Sequence, residues 1–215
     1  MVVIVDVLRF TTAVTVAVER GAVVLPYRWR DDGAAAYAVA NRAELAGMRE
    51  AGGWSLSPTD LQRIPPGTRL VLPSPNGSAL SFAAREQGAR TVLAGCLRNG
   101  TAVGRAARTE AGPDGVVAVI AAGEQWRRGG VRRASEDLFG AGAVIAAAGG
   151  EPSAEASAAR DGCTAWDGDL AATESGRELL GWGWGDDVAV AAAVDASTTV
   201  PVLRADAFIA LTRSP

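Results

Sequence analysis

Histidine and lysine are both missing from this chain, and cysteine occurs only at Cys96 and Cys163 in 215 residues. Without histidine there is no Ser-His-Asp or Cys-His nucleophile pair and no imidazole metal ligand. Without lysine there is no Walker-type phosphate loop and no Schiff-base chemistry. Two cysteines build neither a disulfide framework nor a metal cluster, so a reducing, cytoplasmic compartment is expected. A phosphate-cradling cysteine loop needs arginine six residues after the cysteine, but Ala102 and Asp169 stand there. No serine sits in a G-x-S-x-G elbow. No apolar run approaches the ~20 residues that cross a bilayer, so no membrane contact is expected. The net charge of −3 argues against nucleic acid as a partner. Any catalysis must therefore use carboxylates, arginine, hydroxyls, amides or a metal held by oxygen.

What is present is a recurring pattern. Val2–Val5 is a short apolar, β-branched run that stops at Asp6, with Arg9, Thr11 and Thr12 ahead of an apolar helix over Ala13–Val18. Arg69–Pro73 is a second such strand, followed by Ser74–Ser78 (SPNGS) and a helix over Ala79–Gln87. Arg90–Ala94 is a third, followed by GCLRNGT and a helix over Ala102–Thr109. Val116–Ala121 is a fourth, followed by a long polar loop and a helix from Ser135 to Ala148. Alternation of this kind predicts an α/β fold in three layers, α/β/α, around a mainly parallel sheet. The whole chain, 1–215, reads as a single domain.

Elsewhere the pattern predicts a strand over Ala22–Leu25 ended by Pro26, a helix over Ala34–Glu50, and an irregular stretch over Gly52–Pro66. After Gly149-Gly150 come helices over Glu151–Arg160, Thr173–Leu180 and Asp186–Asp195. A turn with two tryptophans, Gly181–Gly185, precedes the last of these, and a closing strand spans Val200–Leu203. The tryptophan turn and the Ala-rich helices are the basis for entertaining a homodimer.

In open α/β sheets ligands collect beyond the carboxyl ends of the strands. The loops there carry an oxygen-rich set with one arginine: Asp6, Arg9, Thr11, Thr12, Asn76 and Ser78, then Asn99, Glu124, Glu136 and Asp137. Asn76-Gly77-Ser78 and Asn99-Gly100-Thr101 each open an Ala-rich helix, where amides and a hydroxyl suit an anion or simply cap the helix. Glu136 and Asp137 stand in a first helical turn, which the dipole favours in any case. They also suit Mg²⁺, which needs only one or two carboxylates beside water and a substrate phosphate. The run Arg127, Arg128, Arg132 and Arg133 reads as an exposed loop face or as a basic pocket.

Several motifs resemble the 2-phosphosulfolactate phosphatase family. VDVLRFTTAV at 5–14 is similar to its VDVLRATT start, and SPNGS at 74–78 to its TTNGT. WSLSP at 54–58 resembles its G-F-D-x-G-N-S-P segment, with Leu56 beside Ser57 where the family carries Asn. LRNGTAV at 97–103, AGE at 122–124 with SEDLFGAG at 135–142, and the segment 185–202 resemble its later motifs. Family chains usually begin with an additional stretch, so one is expected to be lacking here. The resemblance implies Mg²⁺-dependent hydrolysis of a small phosphorylated acid, with 2-phosphosulfolactate in coenzyme M synthesis as reference. Asp6, Arg9 and Asp137 would be catalytic, and Asp6, Glu136 and Asp137 would hold the metal. Thr11, Thr12, Asn76, Gly77, Ser78, Asn99 and Glu124 would face the substrate. Arg127, Arg128, Arg132 or Arg133 would meet a sulfonate. A small-anion-binding protein of the same fold, without hydrolysis, is the other reading of these residues.

Overall fold

The computed structural model describes residues 1–28, 31–125 and 129–212. The chain opens with β1 (Val2–Val5) and α1 (Phe10–Glu19), then β2 (Val23–Tyr27), α2 (Gly33–Ala40) and β3 (Glu44–Leu45). A short helix α3 (Pro58–Leu61) precedes β4 (Arg69–Pro73), α4 (Gly77–Glu86), β5 (Val92–Gly95) and α5 (Gly100–Ala111). Next come β6 (Ala118–Ala121), a small ribbon of β7 (Glu124–Gln125) with β8 (Val131–Arg132), and α6 (Ser135–Ala148). The chain ends with α7 (Ala154–Ala165), α8 (Glu174–Gly181), α9 (Gly185–Ala192), β9 (Pro201–Arg204) and β10 (Ala207–Ala210).

Eight strands form one mixed sheet in the order β3-β4-β2-β10-β9-β5-β1-β6. β1 lies parallel between β5 and β6, with Val5 level with Gly95 and Ala121. Being covered on both faces, β1 is a continuous apolar run rather than an alternating one. Its Ile4 joins Phe10, Val14 and Leu72 in one core, while Val3 and Val5 join Leu97, Val103 and Val144 in another. α1 and α4 therefore lie on one face of the sheet, and α2, α5 and α6 on the other, giving the three layers that the alternation predicted. α1 carries β-branched residues of modest helix propensity, yet Phe10–Val18 is buried all round. Its stability comes from packing, as expected of a helix apolar on every side. Gly104 and Gly142 leave no room for a methyl group against neighbouring helices, so α5, α6 and α7 pack closely.

The two parallel halves of the sheet meet across the antiparallel hairpin β9–β10, which registers with β2 at Phe208–Val24 and with β5 at Val202–Leu93. β4 stands five places from β1, about 24 Å at ordinary strand spacing if the sheet were flat. Yet Gly77, a few residues beyond β4, donates its N–H to Asp6 at the end of β1 at 3.0 Å. The sheet must therefore coil strongly, in the sense that strand twist allows, and that coil brings the β4 turn to the β1 turn.

Three local expectations are corrected. The helix expected over Ala34–Glu50 stops at Ala40, because Glu44 and Leu45 add to the sheet edge beside β4. Arg42 makes the turn between them with φ of 49°. Pro26 continues β2 rather than ending it, level with Leu72 of β4. Beyond Val200–Leu203 the chain turns at Ala205 and returns as β10.

Candidate active site

Asp6 is the first residue beyond β1 and is only 3% exposed. One of its carboxylate oxygens accepts the Phe10 N–H at 3.1 Å, and the other accepts the Gly77 N–H. The carboxylate thus sits at the starts of α1 and α4 together, where two sets of free amides favour negative charge. Asp137, in the first turn of α6, accepts the Val7 N–H at 2.7 Å and the Gly123 N–H at 2.9 Å. It reaches the Asp6 turn because β6, whose chain leads to α6, is the direct neighbour of β1. Glu136 beside it is 1% exposed, and its Oε2 has no hydrogen-bond partner.

Asn76 donates from Nδ2 to Glu124 Oε2 at 2.9 Å, while its own buried Oδ1 is unpartnered. Burial pushes the Glu124 carboxyl up to about 7, and the negative charge of Asp6 adds to the shift. Burial likewise pushes Asp6 up to about 6, against the amides of Phe10 and Gly77 that pull it down. Asp137 is raised well above the ordinary carboxylate range, first by burial and then by Asp6. The carboxylates repel one another in a space with little water to screen them.

Arg9 donates to Asp187 Oδ2 at 2.9 Å, and its guanidinium lies over the Trp184 ring, 4.5 Å from the centroid. Asp187 is fully buried. It also accepts hydrogen bonds from Arg49 at 3.3 Å, from the Ser57 hydroxyl, and from the Thr59 N–H. These partners come from three separate parts of the chain: the β1 turn, Arg49, and the start of α3. Arg49 is held further by Asp186.

A cavity of about 650 Å³ joins these groups, with Asp6, Arg9, Asn76 and Glu124 all in its lining. An adjoining cavity of about 550 Å³ shares Arg9, Glu50, Leu56 and Trp184 with it and adds Arg49. The Asp6 and Asn76 turns, distant along the sheet, open on one space.

Other expected site residues are used differently. Thr11 Oγ1 accepts the Asp6 N–H and donates to the Asp6 carbonyl, and Thr12 Oγ1 donates to the Val7 carbonyl. Both hydroxyls hold the β1 turn in place of facing a ligand. Ser78 is fully buried and donates to the Leu72 carbonyl. Asn99 is also buried: its Oδ1 accepts the Cys96 N–H, and its Nδ2 donates to Thr15, Ala94 and Thr199. Its polar atoms are occupied, so it anchors the β5 turn. Gly77 contributes an amide to Asp6 and is not among the lining residues of these two cavities. Of the arginines considered for a sulfonate, Arg132 is ion-paired with Glu174 and Glu178. Arg133 is exposed, and Arg127 and Arg128 lie outside the described residues.

A family model described as 2-phosphosulpholactate phosphatase matches residues 1–206. The chain belongs to the 2-phosphosulfolactate phosphatase family. No curated protein matches it closely enough to add to this. Among the described residues of this family member, no helix is long and apolar enough to cross a membrane. A phosphatase family acts on phosphate esters; Arg9, Asn76, Asp6 and Glu124 line one cavity, while Glu136 and Asp137 are not among its lining residues.

The donor set of this phosphatase also suits a hard cation. Asp6, Glu124, Glu136 and Asp137 supply only oxygen, and Glu136 Oε2 and Asn76 Oδ1 are buried without partners. Buried polar atoms left unpaired are costly, and a cation would satisfy them. Among the described residues no three acidic or cysteine side chains converge as a ready metal cage. A Mg²⁺ ion held here would take only one or two of these carboxylates and would keep several waters.

Sequence reasoning missed Asp187, Arg49 and Trp184. The signal was faint: two acids at the start of α9 read as ordinary dipole partners, and a Gly-rich tryptophan turn reads as surface. Gly77 shows how tight the site is. A methyl group there would overlap the Phe10 ring and lie 2.9 Å from Asp6 Oδ2. Gly77→Ala is therefore expected to lower stability by about 1–3 kcal/mol and to cut turnover as the Asp6 turn shifts. Thermal melting and steady-state rates check this, and an unchanged melting temperature would show that the two turns are not in contact.

Proposed function

We propose that this chain is a Mg²⁺-dependent phosphate monoester hydrolase of the 2-phosphosulfolactate phosphatase type. The compound in the family's name, with related small phosphorylated acids, is the reference substrate. The supporting observation is the meeting of the Asp6 and Asn76 turns in one cavity that carries four acids and Arg9. A phosphate dianion would be repelled by such a lining unless a cation stood between them.

Asp6, with one of Glu136 and Asp137 behind it, would hold that cation, and water would complete its shell. Bound there, Mg²⁺ supplies positive charge against the phosphate oxygens as the ester is cleaved. Arg9 presents its guanidinium to the phosphate, its orientation fixed by Asp187 and the face of Trp184. Glu124, raised to about 7, is poised to exchange a proton at neutral pH, and Asn76 aims its carboxyl. The two free thiols, Cys96 and Cys163, accord with the reducing cytoplasm proposed as the compartment.

The raised carboxylates give this reading a pH signature. Asp6 has a higher pKa folded, about 6, than its ordinary 3.8. The native state therefore binds more protons than the unfolded chain between those values, and stability falls as pH rises through that window. Glu124, about 7 against 4.5, extends the window upward. A cation relieves the repulsion only when the carboxylates are ionised. Saturating Mg²⁺ is expected to raise the melting temperature by roughly 5–10 °C at pH 8 and by almost nothing at pH 5. Differential scanning calorimetry with chelator and with Mg²⁺ tests it, and phosphate release is expected only in the Mg²⁺ arm. An equal thermal shift at both pH values would remove these carboxylates from metal binding.

A further inference from the structure

The chain between β3 and α3 is an irregular loop. Its neck closes where Gly47 bridges to Ser55 and donates its N–H to the Trp54 carbonyl at 2.9 Å. Arg49 stands just inside that neck, on a single 3-10 turn over Arg49–Ala51. Its side chain is 19% exposed. It lines the adjoining cavity and is not among the lining residues of the one that holds Asp6, Asn76 and Glu124. From there it donates from Nη2 to Asp186 at 2.6 Å and from Nη1 to Asp187 Oδ2 at 3.3 Å.

Asp187 Oδ2 is also the oxygen that accepts from Arg9 Nη1. Two guanidiniums thus converge on one oxygen of a fully buried carboxylate, and Asp186, Arg49, Asp187 and Arg9 form a row of alternating charge. A buried carboxylate needs its charge balanced, and with one arginine it favours a bidentate fork. Among the described residues Arg9 gives it only Nη1. The rest of the Arg9 fork is left for a ligand in the cavity that Arg9 lines. Without Arg49, Asp186 and Asp187 would both act on Arg9 and spend its charge.

We propose that Arg49 is a positioning residue for the phosphate site: its charge balances Asp187, so that Arg9 stays available to the phosphate. Arg49 acts through Asp187 and does not touch the ester. This rests on the hydrolase reading above only in taking phosphate as the ligand of Arg9.

Inorganic phosphate with saturating Mg²⁺ is the probe, its Kd measured by calorimetry on the full chain beside kcat and KM for 2-phosphosulfolactate. Arg49→Gln keeps hydrogen-bond donors and loses the charge, whereas Arg49→Lys keeps the charge and loses the fork. Arg49→Gln is expected to weaken phosphate binding about tenfold and to raise KM alike, with kcat within about threefold, the mark of lost binding. Arg49→Lys should hold Kd within about threefold of the wild type. Asp187→Asn weakens phosphate binding by itself, and in that background Arg49→Gln should cost less than about twofold more, because residues that act through one another are not additive. Should Arg49→Gln alone fail to fold, the double variant, which has no unbalanced charge, should fold and bind phosphate as Asp187→Asn does. A further loss of about tenfold in the Asp187→Asn background would overturn the proposal and put Arg49 on the anion itself. Equal losses for Arg49→Gln and Arg49→Lys would overturn it in favour of a purely structural contact. An unchanged Kd in Arg49→Gln, a double variant that does not fold, or a wild type that binds no phosphate would overturn it as well. Phosphate binding without turnover would end the hydrolase reading alone, and the Kd values would still decide the role of Arg49.

Discussion

Asp6→Asn is expected to lower Mg²⁺-dependent phosphate release at least about a hundredfold, from the loss of roughly 3 kcal/mol of charge stabilisation in the transition state. The side chain keeps its size and loses its charge. Asp6 is the acid that stands at three junctions at once: the end of β1, the start of α1 and the start of α4. It also lines the cavity and perturbs both Glu124 and Asp137. Removing its charge should weaken Mg²⁺ binding and move the Glu124 carboxyl down toward its ordinary range, so the pH–rate profile should shift to the acid side. Stability is expected to change little in metal-free protein above pH 7. One amide loses its acceptor, which costs about 1–3 kcal/mol. Against that, a buried carboxylate ionised at a cost is gone. Phosphate release within about threefold of the wild type would take Asp6 out of the chemistry; that bound is set well inside the hundredfold expectation.

Asp187→Ala is expected to be the most damaging single change for the fold near the site. Asp187 is fully buried and accepts from Arg9, Arg49, Ser57 and the Thr59 amide. Truncating one member of a buried charge network leaves its partners unpaired and costs about 3–5 kcal/mol. For a chain of this length that is a fall in melting temperature of roughly 10 °C. Function should suffer in a particular way. Arg9 keeps its place over Trp184 but loses the carboxylate that sets its fork, so KM should rise more than kcat falls. Asp187→Asn retains the hydroxyl and amide contacts and should recover part of the stability without the KM. Melting curves and a KM–kcat comparison read both. A variant that melts within about 2 °C of the wild type would show that this network does not hold the site together, since the expected loss is several times larger.

Much of the fold was legible before any coordinates. The alternation of short β-branched runs with Ala-rich helices required βα units, and α6 spans the Ser135–Ala148 predicted from pattern alone. Periodicity is a local property, and local sequence is enough to set it. The elements that escaped were those fixed by a partner in space. Glu44 and Leu45 leave a helical pattern because β4 offers them an edge. β10 returns because β9 and β2 leave a place between them.

The same division runs through the site. The absence of histidine and lysine determined that an acid, arginine and amide chemistry was all the chain could offer, and the residues after β1 and β4 marked where. Tertiary structure decided which of those groups face the cavity. Thr11, Thr12, Ser78 and Asn99 carried the right atoms, but buried backbone groups needed partners first and took them. Asp187 stood in the sequence only as part of an expected helix, and it anchors Arg9 because the fold brings the start of α9 beside the residue that precedes α1. That a strand five places away places Gly77 against Asp6 depends on the coil of the whole sheet. No stretch of sequence encodes that coil, because it is the sum of many small strand twists and the packing of α1 inside them.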